Sequence, residues 1–103
     1  MNELKSMKDV DQVLKQDFVM ILAKSHTCTA CKALLNMLQA NVPNLDQIDI
    51  HQVYIDDLDE FRGEHLIFSV PTVLIFSEGK ELLRESRYIN YSKIQRLIDL
   101  YRN

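Results

Sequence analysis

Both cysteines of the chain stand three residues apart in Cys28-Thr29-Ala30-Cys31, shortly after the wholly apolar run Phe18-Val19-Met20-Ile21-Leu22-Ala23. At the first turn of a helix two such sulfurs face the same way, and a disulfide closes and reopens between them with little backbone movement. The unpaired N–H groups of a helix start favour negative charge, so Cys28 is the readier thiolate and the expected nucleophile. In the chemistry this suggests, Cys28 attacks a partner's disulfide and Cys31 resolves the mixed disulfide, passing two electrons to the partner.

Other readings of the pair remain open at this level. Free cysteines are often small core residues, although here both would have to fall by accident where a strand hands over to a helix. Two thiolates with His26 supply three ligands of a tetrahedral metal site, but no second CxxC or histidine pair completes it, so zinc would need a dimer or a water. His26 itself either steadies a thiolate as imidazolium or is a solvated loop residue. Lys24 and Lys32 flank the pair and either attract thiolates and acidic partners or only solvate the surface. His51 and His65 show no partner in sequence and receive no role.

The elements that must hold this pair read clearly. Phe18 to Ala23 and Thr72 to Phe76 are apolar at every position, as in central strands covered on both faces, so helices are expected on both sides of a mixed or parallel sheet. Leu4, Met7, Val10, Val13 and Leu14 mark a first helical face, with Ser6 or Asp9 as cap and a short strand allowed around Glu3 to Lys5. After the cysteines, Leu34, Leu35, Met37, Leu38 and Val42 continue one helix that Pro43 and Asn44 close. Ile48 to Ile55 reads as a strand, but Ile48 and Ile50 are out of phase with Val53 and Ile55, which predicts a late start or a bulge. An acid-led short helix follows, with Leu58, Phe61, His65 and Leu66 on one side and Gly63 weakening its middle. Glu78-Gly79 turns the second apolar strand into a returning strand at Glu81 to Ser86. Ile94, Leu97, Ile98 and Tyr101, at i, i+3, i+4 and i+7, mark a last helix that packs on the sheet, capped by Asn90 or Ser92. Phe18, Phe61, Phe68, Phe76, Tyr88, Tyr91 and Tyr101 are spread over these elements and read as core or edge packing.

Size and composition bound the rest. A chain of 103 residues, 47% apolar and 26% charged, is long enough for one domain, 1–103, with its own core and without structural staples. A net charge of -3, with Lys and Arg scattered, gives no field for nucleic acid. Met1 to Asp9 has no apolar stretch of the secretory kind and no run reaches membrane-spanning length, so a cytoplasmic protein is expected, with no membrane partner. In a reducing compartment a lone CxxC is catalytic or metal-binding rather than a permanent staple.

With these elements in order, the chain resembles the thioredoxin family over nearly its whole length. The resemblance rests on Cys28-Thr29-Ala30-Cys31-Lys32 after an apolar strand, Val70-Pro71-Thr72 before another, and the hairpin Ile75-Phe76-Ser77-Glu78-Gly79-Lys80. It implies an α/β thioredoxin-like fold, a central mixed sheet of about four strands flanked by about four helices. It implies a protein-disulfide reductase whose only redox group is the Cys28–Cys31 disulfide, with no cofactor and no metal. It also implies a cis peptide before Pro71, with Val70 and Pro71 offering backbone to an extended substrate and Thr27, Thr29 and Ala30 beside it. The implied partners are a disulfide-containing protein and an electron donor such as a thioredoxin reductase, acting on a monomer. The chain departs from the family pattern at Thr27, where tryptophan is usual, and at Thr29-Ala30, which replace glycine and proline. Leu22 stands where many members bury a carboxylate, so Cys31 is expected to lose its proton to water or substrate and to resolve slowly. These departures also suit a rival function, a binding module that keeps the Val70-Pro71 face and has weak or no redox turnover.

Overall fold

The apolar runs become the middle of a five-stranded sheet in a computed structural model that describes residues 2–102. In chain order the elements are β1 (Asn2–Glu3), α1 (Met7–Leu14), β2 (Val19–Lys24), α2 (Thr29–Lys32) and α3 (Leu34–Asn41), then a 3-10 turn at Leu45–Gln47. They continue with β3 (Asp49–Tyr54), α4 (Asp59–Glu64), β4 (Thr72–Ser77), β5 (Lys80–Ser86) and α5 (Tyr91–Arg102). The sheet order is β1-β3-β2-β4-β5, with β1 and β2 parallel to β3, and β4 antiparallel to both β2 and β5.

Every residue of β2 is buried because each face of the sheet carries its own core. Phe18, Met20 and Leu22 pack with Val73 and Ile75 under Leu34 and Leu38 of α3 and Ile94 and Ile98 of α5. Val19, Ile21 and Ala23 pack with Leu74 and Phe76 under Val10 and Leu14 of α1 and Phe61 of α4. This is the two-sided covering that a fully apolar strand requires.

The expected α/β fold class holds, with five strands and five helices rather than about four of each. The added strand is the two-residue β1, which lies at the edge and overlaps at Glu3 the stretch the sequence allowed for it. The added helix arises because the cysteine-bearing helix breaks at Ala33, whose φ/ψ of -93/-5 ends α2 and starts α3. The phase conflict in β3 is not a bulge: its pairing with β2 runs unbroken from Asp49 to Tyr54. Ile50 meets one core and Val53 the other, so both phases are apolar because both faces are covered. The irregularity falls instead in β5, where the register against β4 shifts between Ile75 and Phe76.

Local signals set the ends. Of the candidate caps, Ser6 accepts the Asp9 N–H at 3.1 Å and Asn90 accepts the Lys93 N–H at 3.1 Å. The hairpin tip places Glu78 and Gly79 at φ 51° and 83°, the left-handed pair that a two-residue turn between twisted strands demands. Its N–H groups also donate to the carbonyls of Gln16 and Leu14 at 2.7 and 2.6 Å, fastening the tip to the end of α1. The aromatic reading holds for the buried Phe18, Phe61 and Phe76 and fails for Phe68 and Tyr88, which are 89% and 91% exposed. Leu66 also leaves its expected helical face: it follows α4 with φ 54° and is 58% exposed.

Candidate active site

β2 ends at Lys24, and the chain reverses through Ser25, His26 and Thr27 before α2. Asp56, just beyond β3, braces this loop: its carboxylate accepts the His26 N–H at 3.0 Å and the Ser25 hydroxyl at 3.1 Å. Those bonds, with His26 N–H foremost, hold the Asp56 carboxyl below its ordinary range. Cys28 therefore arrives as the N-cap of α2, where its sulfur accepts the Cys31 N–H at 3.1 Å.

Cys28 and Cys31 are joined in a disulfide with their Cα atoms 5.3 Å apart, within the ordinary range. Their surroundings differ. Cys28 is half-buried, whereas Cys31 is 2% exposed under the first turn of α2. An attacking sulfur must reach a partner and a resolving sulfur need only reach its neighbour, so the difference in access matches the division of labour read from the sequence. Thr27, Thr29 and Ala30 are all exposed around the pair.

The second motif comes to the same end of the sheet. Thr72 opens β4 in register with Ala23, next to the end of β2, so Pro71 lies at the level where the chain leaves β2 for the cysteine loop. The Val70-Pro71 peptide is cis, as the resemblance implied. Thr72 ties the turn together, donating to the Ser69 carbonyl at 2.7 Å and sharing a hydrogen bond with the Ser86 hydroxyl at 3.0 Å. Pro71 is buried and its carbonyl accepts the Arg87 N–H, whereas neither backbone group of Val70 has a partner among the described residues. The exposed Tyr88 follows Arg87, and the exposed Phe68 precedes Ser69, so two aromatics that composition alone assigned to packing flank this turn. Only their closeness in sequence to Pro71 and to the end of β5 hinted at that position.

His26 is not a simple solvated loop residue. Its ring stacks on Tyr54 with centroids 4.0 Å apart, and Nε2 lies 2.7 Å from the Asp57 carboxylate. The Asp57 hydrogen bond raises its pKa above the usual histidine value, so the imidazolium is paired to a carboxylate rather than aimed at a thiolate. A cavity of about 170 Å³ beside it is lined by Lys24, Ser25, His26, Cys31, Lys32 and Tyr54. A larger open groove of about 510 Å³, between the end of α3 and β3, contains neither cysteine and touches none of this chemistry. Among the described residues no group of three or more His, Cys, Asp or Glu side chains converges as a metal site. His51 and His65 lie away from the pair: His51 bonds Asp49 at 2.7 Å and His65 packs against Phe61 and Phe76.

A disulfide at the N-terminal cap of a short helix, on a mixed sheet whose next strand begins at a cis-proline, defines a dithiol/disulfide exchange protein. The thioredoxin family model matches residues 3–100. The thioredoxin-like protein YdfQ of Bacillus subtilis is 32% identical over 99% of this chain and 93% of its own length. Thioredoxin-1 of Saccharomyces cerevisiae is 24% identical over 80% of this chain and 81% of its own. In fold the chain is similar to Plasmodium falciparum thioredoxin, with a TM-score of 0.81 at 19% identity, covering 98% of this chain and 99% of that one. The chain belongs to the thioredoxin family. It is a thioredoxin-like thiol-disulfide oxidoreductase, a protein-disulfide reductase whose redox group is its own CxxC disulfide, with no added cofactor.

Proposed function

We propose that the reduced chain carries out protein-disulfide reduction with Cys28 as nucleophile and Cys31 as resolving thiol. The Cys28 thiolate attacks one sulfur of a substrate disulfide, that bond breaks, and the departing substrate sulfur takes a proton from solvent. Cys31 then gives up its proton and attacks the Cys28 sulfur. The Cys28–Cys31 bond forms, the mixed disulfide breaks, and the second substrate sulfur leaves as a thiolate. The observation that carries this assignment is the contrast in access between half-buried Cys28 and Cys31 at 2% exposure.

The substrate is an extended segment of a disulfide-bearing protein lying across Thr27, Thr29, Ala30, Val70 and Pro71. The unpartnered N–H and C=O of Val70 support this placement, since a strand-like segment pairs through such groups. Membership of the family implies protein substrates and a reductase. We take the donor to be a thioredoxin reductase, the acting unit to be a single-domain monomer of residues 1–103, and the setting to be the cytoplasm. No helix among the described residues is long and apolar enough to cross a membrane.

Trapping tests the roles. With Cys31→Ser the mixed disulfide accumulates on Cys28, and identifying the attached protein names the substrate. With Cys28→Ser no such adduct forms. Adducts at Cys31 in the presence of an intact Cys28 would reverse the assignment, and a folded, reduced chain that leaves a model disulfide protein intact would favour the binding-module reading.

A further inference from the structure

Leu22 of β2 is fully buried in the core under α3 and α5. The sheet register shows what stands beside it. Gln52 of β3 is the cross-strand neighbour of Leu22, and Lys24, two residues further along β2, projects from the same face. Lys24 is only 8% exposed, and its Nζ turns back to donate to Gln52 Oε1 at 2.9 Å, lying 5.7 Å from the centre of the Tyr54 ring. It has no carboxylate partner among the described residues, and it lines the same cavity as Cys31.

A lysine buried without a counter-ion carries a desolvation cost, and an anion formed beside it gains a favourable charge interaction. In the resolving step the buried Cys31 thiol must ionise, and that is the only new negative charge the chemistry places on this cavity. We propose that Lys24 is a charge-positioning residue for Cys31, its ammonium, held by Gln52 and Tyr54, stabilising the Cys31 thiolate across the cavity they share. The proton of Cys31 leaves through the cavity to solvent, the thiolate forms the bond to Cys28, and the substrate sulfur departs with the electron pair. No other reactant is needed.

The remaining charged or titratable groups around Lys24 leave this role to it. His26 is engaged by Asp57, and Asp56 is occupied by the loop it braces. Tyr54 is stacked on His26, Lys32 is exposed on α2, and Glu3, registered with Gln52 on the edge strand, makes no ion pair with Lys24 among the described residues. Burial lowers the Lys24 pKa, and an anion formed beside it would draw that pKa back up.

The inference rests on Cys31 as the resolving thiol, but its test does not depend on turnover. In Cys28→Ser protein, where Cys31 is the only thiol, its ionisation is followed by thiolate ultraviolet absorbance and by alkylation rate across pH. Lys24→Met is expected to cut the Cys31 thiolate fraction at neutral pH about tenfold, equivalent to a midpoint about one pH unit higher. Lys24→Arg keeps the charge and is expected to restore most of it. An unchanged midpoint in folded Lys24→Met protein overturns the proposal, as does a Lys24→Arg midpoint displaced as far as that of Lys24→Met. Gln52→Leu, which frees the ammonium without removing it, is expected to move the midpoint the same way by a smaller amount. Should Lys24→Met fail to fold, an unmoved midpoint in Gln52→Leu decides against the role. Failed trapping at Cys28 with a Lys24-dependent Cys31 midpoint would refute the catalytic roles and leave this charge effect standing.

Discussion

Arg84 offers the sharpest test of how the turn that ends α4 is held. From β5 its guanidinium donates to the carbonyls of His65 and Leu66 at 2.7 and 2.9 Å, where α4 has ended and the chain turns left-handed on its way to Pro71. The same fork takes both oxygens of Glu81 at 2.8 and 3.0 Å, and that pairing, first through its hydrogen bond, raises the Arg84 pKa. A charge-assisted hydrogen bond contributes about 1.5–3 kcal/mol when well shielded. Arg84 keeps 31% of its side-chain surface in water, so about 1 kcal/mol for each carbonyl bond is the appropriate scale, with about 0–1 kcal/mol more from Glu81. Arg84→Ala is therefore expected to cost about 2 kcal/mol, lowering the thermal midpoint by about 8–16 °C for a domain of this size. Urea unfolding read by circular dichroism should show a midpoint lower by about 1 M, with an unchanged slope. Glu81→Gln should cost much less, and Arg84→Lys should recover at most one bond, because an ammonium lacks the planar fork. A loss under about 0.5 kcal/mol for Arg84→Ala, the range of ordinary surface changes, would refute the view that this side chain anchors the turn. So would an equal loss for Glu81→Gln, since the exposed ion pair would then be the source of the stability.

Two pH-dependent outcomes follow from the cysteine loop. His26 should titrate by NMR with a midpoint above the ordinary value of about 6.5, and Asp57→Asn should bring it down. Because its folded pKa is raised, the stabilisation it gives is present below the unfolded pKa and fades as pH climbs through the folded one. Asp56 has the opposite sign: its lowered folded pKa gives stabilisation present above the unfolded value of about 3.9 and lost as pH falls through the folded value. Asp56→Asn should flatten that acid limb in denaturation curves, and an unaltered limb would show that the loop does not depend on this carboxylate.

Much of the fold was legible because burial on two faces writes itself as unbroken apolar sequence: Phe18 to Ala23 and Thr72 to Phe76 became β2 and β4 almost residue for residue. Ser6 and Asn90 were legible as caps because their short side chains reach backbone N–H groups locally. The break at Ala33 was not, since alanine favours helix and the interruption lies in how α2 and α3 meet the sheet. The two-residue β1 pairs only with β3, a partner distant in the chain, so local pattern allowed a strand near Glu3 without fixing its bounds. At the site, the cysteines and Val70-Pro71 were visible as motifs. Lys24, Gln52 and Tyr54 were not visible as a group, because they meet only through the pairing of β2 with β3. Phe68 and Tyr88 misled for a related reason: aromatic side chains resemble core material until their placement beside the turn is known.

The hairpin tip carries a practical lesson for anyone modifying the molecule. A two-residue bend on an outer strand is ordinarily the first place to graft an epitope or a fluorophore peptide. Here Glu78 and Gly79 plug the carbonyl end of α1, so extra residues between them would uncork that helix and loosen one whole layer over the sheet.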